Sequence, residues 1–139
     1  MIKKLLTVST IAALALGLAG CSGTSEEDAV TQTAETFMNA MIAGDGETVC
    51  GLSLREGEVV TSADPDWAGC VESIAILSEA LAPQLEAEGI TEVTIDKATV
   101  TGDTATIKLE DINGDIFHGQ TSVFALRKID GKWYMDSPS

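Results

Sequence analysis

The chain changes its hydrophobic period once. From Glu26 to about Gly89 apolar residues recur every three or four positions, and from Ile90 to Asp136 they alternate with polar ones. The first period belongs to amphipathic helix and the second to half-buried strand. Runs of helices followed by runs of strands argue for an α+β fold. The helical part reads in three pieces. Glu26–Ala43 carries Val30, Ala34, Phe37, Met38, Met41 and Ile42 at helical spacing. Glu26, Glu27 and Asp28 sit at its start, where the helix dipole favours negative charge. "GDG", residues 44–46, ends it. A short second helix is expected over Glu47–Leu54, with Cys50 on it. Arg55–Asp66, "REGEVVTSADPD", reads mostly as loop. Asp64 or Asp66 is placed to cap a third helix over Trp67–Ala82, whose apolar stripe is Trp67, Val71, Ile74, Leu77 or Leu81, with Cys70 beside it. Pro83 lacks the N–H that a helix interior needs and so ends or kinks that helix. "QLEAEG" adds a last turn before Gly89 stops it.

In the second part Val93 and Ile95 alternate with polar neighbours, and Gly102-Asp103 marks a turn. "TATIKLE" puts Ala105, Ile107 and Leu109 on one face and Thr104, Thr106 and Lys108 on the other. "DINGD", Asp111–Asp115, holds a second turn at Asn113-Gly114. "IFHGQTSVFALRKI" reads as a long strand with Gly119 as a bulge. Asp130-Gly131 is a strong two-residue hairpin signal, and "KWYMD" is the last strand. One face of each strand is apolar and the other mixed, the pattern of an antiparallel sheet covered by helices on one side. The expectation is therefore N-terminal helices packed on a curved antiparallel sheet of about four strands.

Ahead of this domain stands "MIKKLLTVSTIAALALGLAGC". Lys3 and Lys4 precede an apolar run, Leu5–Leu18, and small residues follow at Ala19 and Gly20: the layout of an export signal. A spanning helix needs roughly 20 apolar residues in a row, and this run stops short. "LAGC", Leu18–Cys21, resembles the lipobox of bacterial lipoproteins. That resemblance implies a lipid on the Cys21 thiol and cleavage just before it. Two acyl chains anchor stably where one is marginal. The chain then divides into a signal peptide over 1–20, a lipidated flexible tether over 21–28 and a single domain over 29–139. Its expected address is the cell envelope, on the outer side of the cytoplasmic membrane, or the outer membrane where the cell has one.

Removing residues 1–20 leaves 119 residues, enough for one modest core. Lys3 and Lys4 leave with the signal, so six basic residues face 22 acidic ones and the net charge falls from −14 to about −16. Such a surface repels nucleic acid and anionic headgroups. Its plain role is solubility, and cationic partners are the sharper reading. With Cys21 set aside, Cys50 and Cys70 remain. Outside the cytoplasm such a pair reads as a disulfide. Closing a loop of about 20 residues contributes roughly 3 kcal/mol in the chain-entropy model. A catalytic or metal-binding thiol lacks support, because there is no CxxC pair and the single histidine, His118, is distant in sequence.

With these pieces in place, the chain resembles small cystatin-like domains of the nuclear transport factor 2-like group, and in particular secreted lipoproteins of Gram-positive bacteria that use that fold. "FMNAMIAGDGETVCGL" is similar to their first helix, Gly-Asp break and cysteine-bearing second helix. "DWAGCVESIAILSEAL" is similar to the helix with the partner cysteine. "ITEVTIDKATVTGDTATIKLEDINGD" and "FALRKIDGKWYMDS" are similar to their strands. The resemblance implies a cone-like sheet wrapped on a long helix, with a pocket at the wide end.

Candidates for chemistry are few. His118, in "DIFHG", is the single imidazole, and enzymes of the resembled fold use His with Asp in the pocket, so Asp115 or Asp136 would supply the acid. No motif fixes such a pair, and a strand histidine is by default a surface or satisfied residue. "DINGD" offers Asp111, Asn113 and Asp115, the first three ligand positions of a calcium loop. Ile116 stands where that loop needs Gly and Ser122 where it needs Glu, so a hairpin turn is the reading and no metal is expected. Of Trp133 and Tyr134, one belongs in the core and the other outside. There is no serine elbow, P-loop, Rossmann glycine set or HExxH helix, and no cofactor is expected. The leading expectation is a non-enzymatic binding or accessory module of the envelope, whose partners are the membrane, through the lipid, and a small apolar ligand or an envelope protein. One alternative is a small-molecule enzyme of isomerase or hydratase type using His118 with an acidic residue. Another is a protein-interaction domain using its acidic surface.

Overall fold

The structure, a computed structural model, describes residues 25–113 and 123–136. Cys21, Asp115, His118 and Gly119 lie outside the described residues. Helix α1 spans Glu26–Ala43. Ser25 and Asp28 form a reciprocal capping box: the Asp28 amide donates to Ser25 Oγ (3.1 Å) and the Ser25 amide donates to Asp28 Oδ2 (3.4 Å). The helix thus starts within residues 21–28, the expected tether. Gly44 ends it in the left-handed region at φ 76°. Asp45 then caps α2, Gly46–Gly51, accepting from the Thr48 hydroxyl (2.6 Å) and amide (3.2 Å). The Thr48 hydroxyl, and after it the amide, hold the Asp45 carboxyl below its usual pKa.

The second helix is shorter than the expected Glu47–Leu54, because residues 53–55 turn into a strand. β1, Ser53–Arg55, and β2, Glu58–Val59, form a hairpin with Leu54 opposite Val59 and Arg55 opposite Glu58. Its two-residue loop, Glu56-Gly57, has positive φ at both positions, 53° and 84°, as a type I′ turn requires. Helix α3 runs unbroken over Trp67–Glu88 with Pro83 inside it, so Pro83 does not end the helix. Pro83 is exposed, and Gly89 makes the stop at φ 71°.

β3 (Thr94–Ile95) pairs with β6 (Ile112–Asn113) in a small ladder of its own. β4 (Thr99–Thr101), β5 (Thr104–Lys108), β7 (Val123–Ile129) and β8 (Lys132–Asp136) join the first hairpin in one sheet of order β2-β1-β8-β7-β5-β4. That sheet has six strands rather than about four. The two additional ones are the hairpin at residues 53–59, too short to show alternation. The sheet is antiparallel except that β1 runs parallel to β8, with Ser53 beside Met135 and Leu54 beside Asp136. The Asp130-Gly131 hairpin forms as expected, with φ 50° and 82°.

The core lies between α1 and one face of the sheet. Val30, Ala34 and Met38 from α1 meet Ala105, Ile107, Leu126, Trp133 and Met135. Trp133 is the buried member of its pair, and Tyr134 is half-buried. Residues 93–98 cross α1 as a strap tied by helix side chains instead of a strand. Asn39 Nδ2 donates to the Val93 carbonyl (2.9 Å) and the Val93 amide donates to Asn39 Oδ1 (2.8 Å). Glu35 accepts from the Ile95 amide (2.8 Å) and Glu27 from the Ala98 amide (3.3 Å). These bonds satisfy buried backbone groups that have no ladder partner on that side.

Candidate functional site

The resemblance to the nuclear transport factor 2-like group implies a pocket where the sheet curves around α1. Among the described residues, the part of the sheet that meets α1 is closely packed. Ile107 is fully buried, and Leu126, Trp133 and Met135 are 1%, 3% and 4% exposed. The Trp133 indole N–H donates outward to Glu26 Oε2 (3.0 Å), while Lys128 Nζ donates to Glu26 Oε1 (2.7 Å). Lys128 and Trp133 together hold the Glu26 carboxyl below its ordinary pKa, the lysine bond being the larger cause. This clasp joins the start of α1 to the β7–β8 hairpin.

An open groove of about 540 Å³ lies elsewhere, between the β1–β2 hairpin and the first turns of α3. β1 supplies Ser53, Leu54 and Arg55, the following loop supplies Val60, Pro65 and Asp66, and α3 supplies Gly69, Cys70 and Ser73. Three local features build it. Asp64 accepts from the Thr61 amide (2.6 Å), and the Asp64 amide donates to the Thr61 carbonyl (2.9 Å), which folds the loop back on itself. Asp66 stands at the N-cap of α3 but makes no side-chain cap bond. Its carboxylate instead pairs with Arg55 across the groove mouth. Finally, Cys50 in α2 and Cys70 in α3 form a disulfide, with Cα atoms 6.2 Å apart. Gly46 helps here: a Cβ on it would lie 2.6 Å from the Val71 carbonyl oxygen, so only glycine lets α2 approach α3 this closely.

The groove's polar groups are already engaged. Ser53 Oγ donates to the Val49 carbonyl and Ser73 Oγ to the Gly69 carbonyl, both at 2.7 Å. Neither hydroxyl faces a general base, and Cys70 is held in the disulfide. What remains is a lining of Leu54, Val60, Pro65 and the disulfide, rimmed by one ion pair. Such a surface suits an apolar or peptide-like occupant.

Of the candidates His118, Asp115 and Asp136, only Asp136 lies among the described residues. Asp136, at the end of β8, accepts from Arg127 Nη2 (2.9 Å). His118 and Asp115 lie outside the described residues, as does the lipidation candidate Cys21. Asn113 Nδ2 donates to Asp96 Oδ1 (2.8 Å), which ties the "DINGD" segment to the strap. Among the described residues no group of three His, Cys, Asp or Glu side chains converges on a metal position. The groove itself was not expected from sequence. Its one local signal is the Glu56-Gly57 turn, flanked by Arg55 and Glu58.

A solved structure is similar to this chain: the crystal structure, at 2.00 Å, of a candidate NTF2-like transpeptidase from Campylobacter jejuni. The match has a TM-score of 0.52 at 20% identity and covers 77% of this chain and 96% of that one. The chain has an NTF2-like fold. At that identity the likeness concerns the fold alone. No protein-family model matches the chain, and no curated protein matches it.

Proposed function

We propose that this NTF2-like domain is a non-enzymatic binding or accessory module of the cell envelope, held at the outer side of the cytoplasmic membrane by a lipid on Cys21. The observation that carries the binding role is the contrast between two surfaces. Among the described residues Ile107, Leu126, Trp133 and Met135 are buried against α1, whereas the groove beside the disulfide is open, with Val60 and Pro65 standing beside Ser53, Ser73 and the Arg55–Asp66 pair. The groove's hydroxyls and its carboxylate are bonded to the protein itself, so it is equipped to hold an occupant rather than to move protons. The envelope role is supported by the Lys3-Lys4, apolar run and "LAGC" order. Cys21 stands only four residues before the Ser25 cap. At about 3.5 Å per residue the lipid then lies within about 14 Å of the start of α1.

The test is expression of the full chain in a bacterium fed labelled palmitate, alongside Cys21→Ser and Val60→Asp. The wild type is expected to carry label and sediment with membranes, and Cys21→Ser to lose both. Crosslinking from a photoreactive residue at position 65 is expected to give a discrete adduct that Val60→Asp loses. Membrane retention of Cys21→Ser would sink the anchoring role. Catalytic turnover abolished by His118→Ala would sink the non-enzymatic reading.

A further inference from the structure

Helix α3 is packed on one face and bare on the other. Val71, Ile74, Ser78, Leu81 and Leu85 point inward at helical spacing, and only Leu85 among them is fully buried. The opposite face carries Gly69, Ser73, Ile76, Ala80, Pro83 and Ala87, all exposed. Their separations are four, three, four, three and four residues, the spacing of a coiled-coil seam. Ile76 in that seam is 61% exposed and Leu77 beside it 40%, two of the three large hydrophobic side chains most open to solvent among the described residues. No charged residue interrupts the stripe. Along one flank run Glu72, Glu79 and Glu86, seven residues apart. α3 contains no Lys or Arg, and none of the three glutamates is ion-paired among the described residues.

We infer that this face of α3 docks an amphipathic helix of a partner protein, with small or aliphatic residues along its seam and Lys or Arg on the flank that meets the glutamates. Charge decides the occupant. In a two-fold pair of identical chains with antiparallel helices, the glutamate row would face its own copy. In a parallel pair it would face Leu77 and Gln84, leaving the carboxylates without cations. An anionic lipid surface is repelled by the same row. A basic helix satisfies both the apolar stripe and the three carboxylates, and the small residues let its backbone come close. Gly69 and Ser73 belong to the seam and also line the groove, so the groove receives one end of that helix. The inference rests on the reading of the domain as a binding module and names its partner class.

The test uses the full chain in detergent and two synthetic heptad peptides with the same Leu/Ala seam, one with Lys on both flanks and one with Glu. Fluorescence anisotropy is expected to show saturable binding of the Lys peptide, weakened by raising salt, and none of the Glu peptide. Glu72→Gln, Glu79→Gln and Glu86→Gln together are expected to weaken it about tenfold, and Ile76→Asp at least as much. Glu92→Gln, a charge change on an exposed residue off the helix, is expected to change nothing. Equal affinity for both peptides, or no effect of Ile76→Asp in a variant with unchanged circular dichroism, would overturn the inference. So would self-association or anionic-vesicle binding that Ile76→Asp abolishes. Loss of peptide binding in Val60→Asp but not in Ile76→Asp would overturn the helix-face docking and leave the groove reading standing. Binding lost in neither, with no adduct at position 65, would overturn both.

Discussion

Reduction of the Cys50–Cys70 bridge should cost this domain about 3 kcal/mol. The bond joins residues 20 apart. Fixing a loop of that size in the unfolded chain removes about 3 kcal/mol of entropy at 25 °C in the loop-closure model. For a domain of this size that corresponds to a melting-temperature drop of roughly 10–15 °C. The structure gives a reason to expect the full effect. α3 buries only Leu85 completely, so the bridge fastens a helix whose apolar contacts are thin. The clean comparison is the oxidised chain against the same chain reduced with a dithiol, because substitution of Cys50, which is fully buried, would also remove packing. Urea unfolding followed by the fluorescence of Trp67 and Trp133 measures the difference, and amide exchange shows where it acts. Trp67 opens α3 while Trp133 sits in the core, so partial release of α3 would separate the two fluorescence signals. A reduced chain within about 1 kcal/mol of the oxidised one, with α3 amides equally protected, would refute the idea that the bridge holds this helix.

Other substitutions test the remaining supports. Gly46→Ala should destabilise by about 1–3 kcal/mol, because the new Cβ meets the Val71 backbone at 2.6–2.7 Å. Gly69→Ala should stabilise by about 0.5–1 kcal/mol through helix propensity alone, since nothing lies within 4 Å of the added carbon; thermal melts compare the two. Asn39→Ala should cost about 2–3 kcal/mol by leaving both backbone groups of Val93 without partners, and urea titration would show it. Glu26 is held below its ordinary value of 4.5 by Lys128 and Trp133. Its carboxylate therefore stabilises the fold above pH 4.5, and that contribution fades as the pH falls through the lowered value. Glu26→Gln should be less stable than wild type at neutral pH, with the gap closing in acid. A gap that widened below pH 4 would reverse the sign of the argument.

Local rules account for the parts of the fold that local residues decide. The run Val30, Ala34, Met38 marks the buried face of α1, and Ala105, Ile107, Leu109 marks that of β5. Asp130-Gly131 makes the turn its composition demands, and the two cysteines bond as their number and context imply. The departures have a common cause, which is that distant partners override short signals. A two-residue and a three-residue strand carry no readable alternation, so the Arg55–Asp66 segment looks like loop until β8 pairs with β1. Pro83 sits on the exposed side of α3, where the missing amide bond is tolerated, so a residue that usually stops a helix does not. The strap at 93–98 depends on Glu27, Glu35 and Asn39, up to 71 residues away. Asp66 is one of the two caps expected for α3 and stands at the N-cap, but it is the Arg55 guanidinium, reached only through the hairpin, that takes its carboxylate.

The groove follows from how the sheet outgrows the helix that covers it. α1 packs its buried face on β5, β7 and β8. β1 adds itself parallel to β8, and β2 extends the sheet one strand further. Those two strands lie beyond the stripe that α1 can shield. Leu54 is nonetheless only 4% exposed. Across from the hairpin stand Gly69, Cys70 and Ser73 in the first turns of α3, which the bridge and the close approach at Gly46 fasten to α2. The gap between them is the groove, closed at its mouth only by an ion pair whose two side chains are 62% and 66% exposed. Exposed pairs of that kind contribute little, about 0–1 kcal/mol. An incoming segment can therefore displace or use Arg55 and Asp66 without disturbing the fold, because the clasp of Glu26, Lys128 and Trp133 shares no residue with the groove. If the groove is the binding surface, substitutions at Arg55, Val60 and Asp66 should alter binding while leaving the melting temperature nearly unchanged.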